Sequence, residues 1–333
     1  MSQPEETGLI QKFLAPLAGP SGLGLRDDTA CLSPQPGYDL VLTVDTIVEG
    51  VHFLDADSPF DIAVKAITVN LSDLIAKGAV PVGYLVALSL PHKPDEDWMA
   101  EFSAGLAGQV SGLLIGGDMT VSRGGPLTIS VTAIGEVPTG RMVRREGAKI
   151  GDDVYVCGPI GTKAAGLKCT IDPQWASASG LDDDEIAEMV QEFTAPLTVN
   201  AHQYSTLIRD HASASLDISD GLVIDLGRLC DASEVGAQID AMEIPLHPSV
   251  KKLIGAKQFS LVDAITGGDD YLPLFTASVA AAKAINAAAG STRCYRIGKV
   301  VEFQKGVTFR DKHGKPLSLG GRSGYDHFTK QGT

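Results

Sequence analysis

The sequence has little of what several common classes of protein require. Its five cysteines are scattered, with no close pair and no spacing typical of a zinc site. No apolar run reaches the length of a membrane span, and the acidic start lacks the blocks of a signal peptide. A net charge of −14 argues against a general nucleic-acid surface, because lysine and arginine drive phosphate binding. We therefore expect a soluble, cytoplasmic protein with reduced thiols.

The best-known nucleotide and catalytic motifs are also missing. Gly298-Lys299 is followed by Val300 and lacks the upstream glycine of a phosphate-binding loop. There is no His-Arg-Asp, Asp-Phe-Gly or Gly-x-Ser-x-Gly motif, and the pair Gly22 and Gly24 alone does not indicate a dinucleotide fold. An acidic protein can still bind a nucleotide when divalent cations bridge its carboxylates to the phosphates.

Alternating strand-like and helix-like patterns predict a mixed α/β chain of two halves. In the first half the patterns predict helices over 7–17, 61–77 and 97–110 and strands over 38–45, 84–90, 113–115 and 127–134. A basic, glycine-containing connector over 141–153 leads to a second half of similar style. We therefore predict two domains, residues 1–140 and 141–333.

A set of aspartates each follows an apolar strand or lies in a glycine turn: Asp28, Asp45, Asp73, Asp118, Asp217 and Asp220. A single aspartate in such a place commonly caps backbone amides. Six are harder to explain in this way, because an isolated buried carboxylate is costly. If several converge, their repulsion requires cations, and ligation by oxygen alone selects hard ions such as Mg²⁺.

Residue spacing predicts convergence at two places. Asn70 and Asp73 are three residues apart and share one face of a helix, whereas Asp217 and Ser219 share one side of a strand. Asp220 then opens a helix that Ser219 is expected to cap. His52 fits either a structural role or a contact with substrate.

Motifs along nearly the whole chain together resemble the thiamine-monophosphate kinase family. They are residues 44–53 (VDTIVEGVHF), 65–73 (KAITVNLSD), 78–81 (GAVP), 116–118 (GGD), 145–152 (REGAKIGD), 217–222 (DISDGL), 267–271 (GGDDY) and 324–328 (GYDHF). The wider superfamily includes aminoimidazole ribonucleotide synthetase, selenophosphate synthetase and a hydrogenase-maturation dehydratase.

This resemblance implies a two-domain fold like that of aminoimidazole ribonucleotide synthetase, with mixed sheets and flanking helices. Residues 1–140 would bind ATP and several Mg²⁺ ions and pair in a homodimer, and residues 141–333 would complete the active site. The implied reaction transfers the γ-phosphoryl group of ATP to thiamine monophosphate, a step of thiamine biosynthesis that gives thiamine diphosphate. Such a reaction depends on positioning and charge neutralisation, so no catalytic nucleophile or base is expected.

Site residues follow from the same resemblance, motif by motif. The implied metal ligands are Asp28, Thr43, the main chain of Val44, Asp45, Asp73, Asp118, Asp217 and Asp220. The implied ATP contacts are Gly117, Asp118, Arg145 and Ser219, and the substrate contacts are His52, Asp269 and Arg322.

The sequence departs from the family pattern at points near these sites. Asp269 stands where a glutamate is usual, Arg322 where an aromatic residue is frequent, and Thr43-Val44 where Ser-Thr is usual. The helix before Gly116 also lacks the tyrosine expected near the nucleotide. Two alternatives stay open: another ATP-using member that acts on a different small phosphate or carbamoyl substrate, and a non-catalytic nucleotide-binding subunit. Retention of the costly aspartates argues against the second.

Overall fold

Two compact units make up the computed structural model, which describes residues 5–110, 112–196, 201–290 and 293–325. The first contains the described residues of Met1–Leu74, Ala79–Met142 and Thr194–Thr198. The second contains those of Ile75–Gly78, Val143–Phe193 and Val199–Thr333. Each unit is therefore built from separate stretches of chain.

The first unit is a four-stranded mixed sheet with helices. Its elements are α1 (Glu5–Leu9), β1 (Tyr38–Val48), α2 (Pro59–Ala76), β2 (Val80–Leu90), α3 (Glu96–Val110), β3 (Leu114–Val121) and β4 (Thr128–Pro138). The strand order is β1-β4-β2-β3, in which only β2 and β3 run parallel. Strand β1 therefore lies at one edge of the sheet.

The first predicted helix is divided into shorter pieces. Helix α1 ends at Leu9 and continues as a π-helix, Ile10–Leu14, and a 3₁₀-helix, Ala15–Leu17. The single helix predicted over 7–17 is therefore wrong. Pro16 explains part of the change, because it has no N–H to continue an α-helical hydrogen-bond ladder.

Helix α2 forms the centre of this unit. Its side chains are buried around the whole circumference from Ile62 to Ser72, and the buried set includes the polar residues Lys65, Thr68, Asn70 and Ser72. Helix α3 approaches it closely at Gly105, where a Cβ would lie 2.4 Å from the carbonyl oxygen of Phe60. Because α2 is buried, the side chains that it presents to β1 are held in place.

The second unit contains a six-stranded mixed sheet. Its strands are β5 (Asp153–Val156), β6 (Ala214–Ile218), β7 (Val235–Asp240), β8 (Leu272–Ala277), β9 (Tyr295–Glu302) and β10 (Val307–Arg310). Its helices are α4 (Thr162–Ile171), α5 (Pro173–Ala178), α6 (Asp183–Thr194), α7 (Ala201–His211), α8 (Leu222–Ala232), α9 (Pro248–Gly255), α10 (Leu261–Thr266) and α11 (Ala282–Ala289). The strand order is β10-β7-β9-β5-β8-β6, and only β10 and β7 are parallel.

One large apolar cluster forms the core on one side of this second sheet. It includes Val154 and Val156 of β5, together with Leu222, Leu226 and Leu229 of α8. Tyr155, between these two valines, is buried as well, so both faces of β5 are covered. The predicted α/β class with mixed sheets and flanking helices is confirmed. In the part of the chain described, none of the helices combines the length and apolarity needed to cross a membrane.

Candidate functional site

Strand β1 and helix α2 bring together the first group of predicted site residues. The hydroxyl of Thr43 donates to Oδ2 of Asp73 at 2.5 Å, and the main-chain N–H of Asp45 donates to Oδ1 of Asn70 at 2.9 Å. Thr43 and Asp45 share the inner face of β1, since side chains alternate along a strand. Asn70 and Asp73 share one face of α2, as their spacing predicts. The result is a fixed group of oxygen atoms from two neighbouring elements.

The edge position of β1 makes this arrangement possible. An edge strand has N–H groups without a partner strand, and Asn70 accepts a hydrogen bond from one of them. The side-chain amide of Asn70 in turn donates to the carbonyl of Ala66 at 3.0 Å, which fixes its orientation. Asn70 is fully buried, whereas Asp45 and Asp73 are half-buried and can still meet a ligand.

Gly117 and Asp118 lie inside strand β3, so the strand predicted to end at residue 115 continues through both of them. A Cβ at position 117 would lie 1.9 Å from the carbonyl oxygen of Val86, so only glycine fits between these strands. Through the strand register, Gly117 lies in the same row as Asp45, whereas Asp118 lies in the row of Thr46. Asp118 is therefore exposed on the face opposite to that of Asp45, and the two carboxylates are not brought together.

Three further predicted residues of the first unit lie around β1. Asp28 is exposed in the segment that precedes the strand. Val44 has an exposed side chain on the outer face of β1. His52 follows the strand, and its Nδ1 accepts a hydrogen bond from the N–H of Val48 at 3.0 Å. This bond favours the tautomer that carries the proton on Nε2, and it gives His52 a structural contact within its own turn.

The second unit holds a tight turn at residues 219–221, directly after β6. Oδ2 of Asp225 accepts hydrogen bonds from the N–H groups of Ser219, Asp220 and Gly221 at 3.0, 2.9 and 3.1 Å. Helix α8 begins only at Leu222, and Gly221 caps it without a side-chain hydrogen bond. The predicted cap by Ser219 is therefore wrong, because Asp225 satisfies the amides of the turn from within the first turn of the helix.

Arg228 links two carboxylates of this turn. Its Nη1 lies 2.5 Å from Oδ2 of Asp220 and 2.7 Å from Oδ1 of Asp225. Burial raises the pKa of the Asp225 carboxyl, and the nearby Asp220 raises it further, while the turn amides and Arg228 oppose this shift. Asp217 lies half-buried on β6, two residues before the turn. Ser219 and Asp220 are thus held by a buried anion, Asp225, and by the cation of Arg228, and Asp217 lies close to them along the chain.

The acidic turn at residues 267–271 packs against the 219–221 turn. The N–H of Asp269 donates to the carbonyl of Ser219 at 2.7 Å, and the N–H of Tyr325 donates to that of Asp220 at 2.9 Å. Gly268 has φ = 74°, and a Cβ there would lie 2.7 Å from the Ser219 carbonyl oxygen. Three predicted motifs of this unit therefore meet in the structure, although the rest of the last motif, residues 326–328, lies outside the described residues.

Backbone strain marks the same turn. Asp269 and Tyr271 have φ values of 60° and 49°, in the left-handed region that residues other than glycine rarely adopt. The hydroxyl of Tyr271 donates to Oδ1 of Asp269 at 2.7 Å and holds this conformation. Strained residues of this kind cluster at binding sites, where the surrounding fold maintains them.

Asp270 is the most deeply buried carboxyl in this region. Its Oδ1 accepts a hydrogen bond from the N–H of Gly161 at 2.9 Å. Burial raises the pKa of Asp270 to about 7, although the nearby Lys163 ammonium and the Gly161 amide act to lower it. The side chain therefore titrates near neutral pH and ties the acidic turn to the start of α4.

The two predicted arginine contacts have different surroundings. Arg145 is exposed, and its carbonyl accepts a hydrogen bond from the hydroxyl of Ser233 at 3.3 Å. Arg322 forms an ion pair with Asp263, at 2.5 Å between Nη1 and Oδ1. Asp263 belongs to the capping box of α10 with Ser260. The ion pair thus holds Arg322 at the N-terminal end of α10.

Asp225 and Arg228 were not singled out as site residues from the sequence, although both organise the 219–221 turn. Two features of the sequence indicate this role. Asp225 lies in the first turn of a helix, where an anion is favoured, and Arg228 follows it by three residues, the spacing of an ion pair on one helical face.

The donor chemistry of the β1–α2 group fits a hard cation. Its side-chain donors are the carboxylates of Asp45 and Asp73 and the hydroxyl of Thr43, with no sulfur or imidazole among them. Within the described ranges, no three His, Cys, Asp or Glu side chains form a group that could hold a metal ion. The two carboxylates and the hydroxyl of the β1–α2 group suit Mg²⁺, which binds to one or two carboxylates and completes its coordination with substrate phosphates and water.

Family models match both units and define the class of protein. Residues 26–137 match the N-terminal domain of AIR synthase related proteins, and residues 149–310 match their C-terminal domain. The two matches together cover most of the chain, which is therefore an AIR synthase related protein.

Relatives that match nearly the whole chain show which family within this class the chain belongs to. The thiamine-monophosphate kinase of Salmonella typhimurium is 36% identical over 313 residues, which cover 92% of this chain and 91% of the relative. The crystal structure of the thiamine-monophosphate kinase from Stenotrophomonas maltophilia has 34% identity and a TM-score of 0.78, with 94% and 96% of the chains covered. AaThiL complexed with AMPPCP and TMP has 29% identity and a TM-score of 0.74, with 98% and 99% covered. The chain belongs to the thiamine-monophosphate kinase family.

Proposed function

We propose that this protein phosphorylates thiamine monophosphate with ATP, giving thiamine diphosphate and ADP. The observation that carries the proposal is the fixed oxygen group of β1 and α2, in a chain whose full-length relatives are thiamine-monophosphate kinases. A solved relative binds an ATP analogue together with TMP, the two ligands that such a reaction brings together. Because ATP is the co-substrate, we also propose that the protein works in the cytoplasm.

The reaction is a direct transfer of the γ-phosphoryl group. An oxygen of the thiamine monophosphate phosphate attacks the γ-phosphorus of ATP, the bond from that phosphorus to the bridging oxygen breaks, and ADP leaves with the electron pair. Both reactants are anionic, so repulsion between them is the main obstacle. When bound, Mg²⁺ would neutralise phosphate charge and orient the phosphates for attack.

We assign the metal-holding role in the first unit to Asp45 and Asp73. Thr43 and Asn70 hold these residues by hydrogen bonds, so little reorganisation of the protein is needed when a cation arrives. Asp28 and the carbonyl of Val44 remain proposed additional ligands. Asp118, on the other face of the sheet, remains a proposed contact for ATP and metal with Gly117.

In the second unit we assign the metal-holding role to Asp217 and Asp220. Asp225 and Arg228 position the turn that carries Ser219 and Asp220. Arg145, exposed at the connector, suits a bidentate contact with phosphate because guanidinium presents paired donors. His52, Asp269 and Arg322 remain the proposed contacts for thiamine monophosphate.

We also propose that the first unit pairs with a second copy of the chain. Leu40, Leu42 and Val44 alternate along the outer face of edge strand β1 and are 36%, 61% and 61% exposed. A row of apolar side chains on an open sheet face is typical of an association surface. Leu42→Glu should yield a monomer by light scattering, whereas Val51→Glu, at an exposed apolar residue in the loop after β1, should not. A monomeric parent protein would contradict this proposal.

A panel of acceptors tests the proposed reaction against its main alternative. The purified protein is assayed with ATP, Mg²⁺ and, separately, thiamine monophosphate, other small phosphate esters and carbamoyl compounds. We expect thiamine monophosphate to give the highest kcat/KM, EDTA to abolish turnover, and Zn²⁺ to replace Mg²⁺ poorly because the donors are hard oxygens. Efficient turnover of a different acceptor, with none of thiamine monophosphate, would favour another ATP-using member of the superfamily. No turnover of any acceptor would favour a nucleotide-binding subunit.

A further inference from the structure

Two free cysteines that are far apart in sequence meet in the second unit. Cys157 directly follows β5, and Cys294 directly precedes β9. These strands are antiparallel, with Val156 opposite Tyr295, so one further step of the register places Cys157 opposite Cys294. Their sulfur atoms lie 3.1 Å apart. The two thiols are therefore cross-strand neighbours at the end of a ladder.

This position meets the backbone requirement for a disulfide bond. Residues directly opposite in an antiparallel pair have Cα atoms about 4.5–5.5 Å apart. Disulfides accept Cα separations of about 4.4–6.8 Å and have a sulfur–sulfur bond of about 2.05 Å. The sulfur atoms need to approach by only about 1 Å from their 3.1 Å separation, which side-chain rotation supplies.

The two thiols differ in access. Cys157 is fully buried, whereas Cys294 is half-buried and is the more accessible residue of the two. Burial and the neighbouring Cys294 raise the pKa of the Cys157 thiol. Cys294 is therefore the point of attack, and Cys157 is the thiol that resolves the intermediate.

We propose that Cys157 and Cys294 are a site of reversible oxidation that forms an intramolecular disulfide with a low-molecular-weight disulfide such as glutathione disulfide. The Cys294 thiolate attacks one sulfur of the oxidant and releases one glutathione thiolate. The Cys157 thiolate then attacks the Cys294 sulfur and displaces the second glutathione. The protein loses two protons and two electrons, and the oxidant becomes two glutathione thiols.

The surrounding contacts link this site to the acidic turn. The N–H of Cys157 donates to the carbonyl of Pro273, which lies two residues after Tyr271. Gly161, four residues after Cys157, donates its N–H to Asp270. A disulfide here would fasten the end of β5 to β9 beside the segment that supports the turn. It would also close a long loop of chain, which restricts the unfolded state and raises the unfolding temperature.

Thiol counting and peptide mapping test the proposal on the full chain. After treatment with glutathione disulfide, we expect two of the five thiols to become unreactive to a maleimide reagent under denaturing conditions. A non-reduced digest should contain one peptide pair that joins Cys157 to Cys294, and dithiothreitol should remove it. The oxidised protein should also unfold at a higher temperature than the reduced one.

Cysteine-to-serine variants identify the residues concerned. Cys294→Ser, at the half-buried position, and Cys157→Ser should both abolish the linked peptide and the rise in unfolding temperature. Cys169→Ser is the matched control, since Cys169 is also buried and should leave the linkage intact. Retention of five reactive thiols, or glutathione bound at Cys294 without the internal bond, would overturn the proposal. Because none of these readouts measures phosphoryl transfer, the result does not depend on the proposed function.

Discussion

The hydroxyl of Thr43 lies 2.5 Å from Oδ2 of Asp73, and this hydrogen bond joins an edge strand to the central helix of the first unit. It fixes the carboxylate of Asp73, which lies three residues after Asn70 in α2. The side chain of Asn70 accepts a hydrogen bond from the main-chain N–H of Asp45. These two contacts hold the carboxylate of Asp73 and the main chain of Asp45, the two residues to which we assign Mg²⁺.

Asp45→Asn and Asp73→Asn should remove phosphoryl transfer while leaving the fold intact. Each change keeps the shape of the side chain but removes one negative charge needed to hold a cation. We expect kcat to fall roughly hundredfold or more, the scale of losing a preorganised electrostatic contact. Steady-state kinetics with circular dichroism provide the measurement, and Asp97→Asn, at an exposed position in the first turn of α3, is the control. Near-normal turnover in either variant would show that the residue only supports the backbone.

Part of this site was predictable from the sequence, and the reason is periodicity. The helix period places Asn70 and Asp73 on one face of α2, as predicted. The strand period predicts that Asp217 and Ser219 share one side of a strand, but β6 ends at Ile218 and Ser219 lies in the turn that follows. The first prediction needs only local geometry, whereas the second depends on where the strand ends. The fold class was predictable for a similar reason, since alternating strand and helix patterns are local properties of the chain.

Other relationships depend on pairings between distant residues, which local patterns do not reveal. The face occupied by Asp118 is set by the register of β3 on β2, and the sequence does not specify that register. The ion pair of Arg322 with Asp263 joins residues that are far apart along the chain. The role of Asp225 was missed because its three amide partners are main-chain atoms, which carry no signal of residue type.

Asp225→Ala should unfold more readily and lose activity. The change leaves three N–H groups of the 219–221 turn without their acceptor and removes a partner of Arg228. Each buried group left unsatisfied costs about 1–3 kcal/mol, so we expect a large decrease in the free energy of unfolding. Asp225→Asn retains an oxygen acceptor and should be intermediate. Asp231→Ala, at an exposed site on the same helix, is the control for urea denaturation. Equal stability of the Asp225 and Asp231 variants would contradict the assigned role.

Asp270 should make stability depend on pH between about 4 and 7. Its pKa is raised from 3.8 to about 7 in the folded protein, so the folded state keeps a proton that the unfolded state releases. Stability from this group is therefore greatest below pH 4, declines as the pH rises towards 7 and is constant above it. Asp270→Asn cannot ionise and still presents an oxygen to Gly161.

The stability of Asp270→Asn relative to the parent should therefore increase from pH 5 to pH 8 by a few kcal/mol, on the scale of 1.36 kcal/mol per pKa unit. Urea denaturation at several pH values measures the difference. Asp311→Asn is the control: the backbone N–H groups of Lys315 and His313 lower the Asp311 pKa, so its effect should be constant over this range. A difference between Asp270→Asn and the parent that does not vary with pH would exclude the assigned titration.

Arg322→Trp should lower the KM for thiamine monophosphate and leave the KM for ATP unchanged. A guanidinium opposes the cationic thiazolium of the substrate, whereas an aromatic face attracts it by about 0.5–2 kcal/mol. Asp263→Asn is the control, since it weakens the Arg322 ion pair without removing the arginine. The kinetics are measured with each substrate varied in turn. An unchanged KM in Arg322→Trp would indicate that this position does not contact the thiamine moiety.

The most direct test of the central claim follows the transferred group itself. The protein is incubated with Mg²⁺, thiamine monophosphate and ATP that carries heavy oxygen on its γ-phosphoryl group, and the products are analysed by mass spectrometry. We predict labelled thiamine diphosphate and unlabelled ADP in equal amounts, formed roughly a hundredfold more slowly, or slower still, when Asp73 is replaced by Asn. Labelled inorganic phosphate without thiamine diphosphate, or release of AMP, would contradict the proposed transfer.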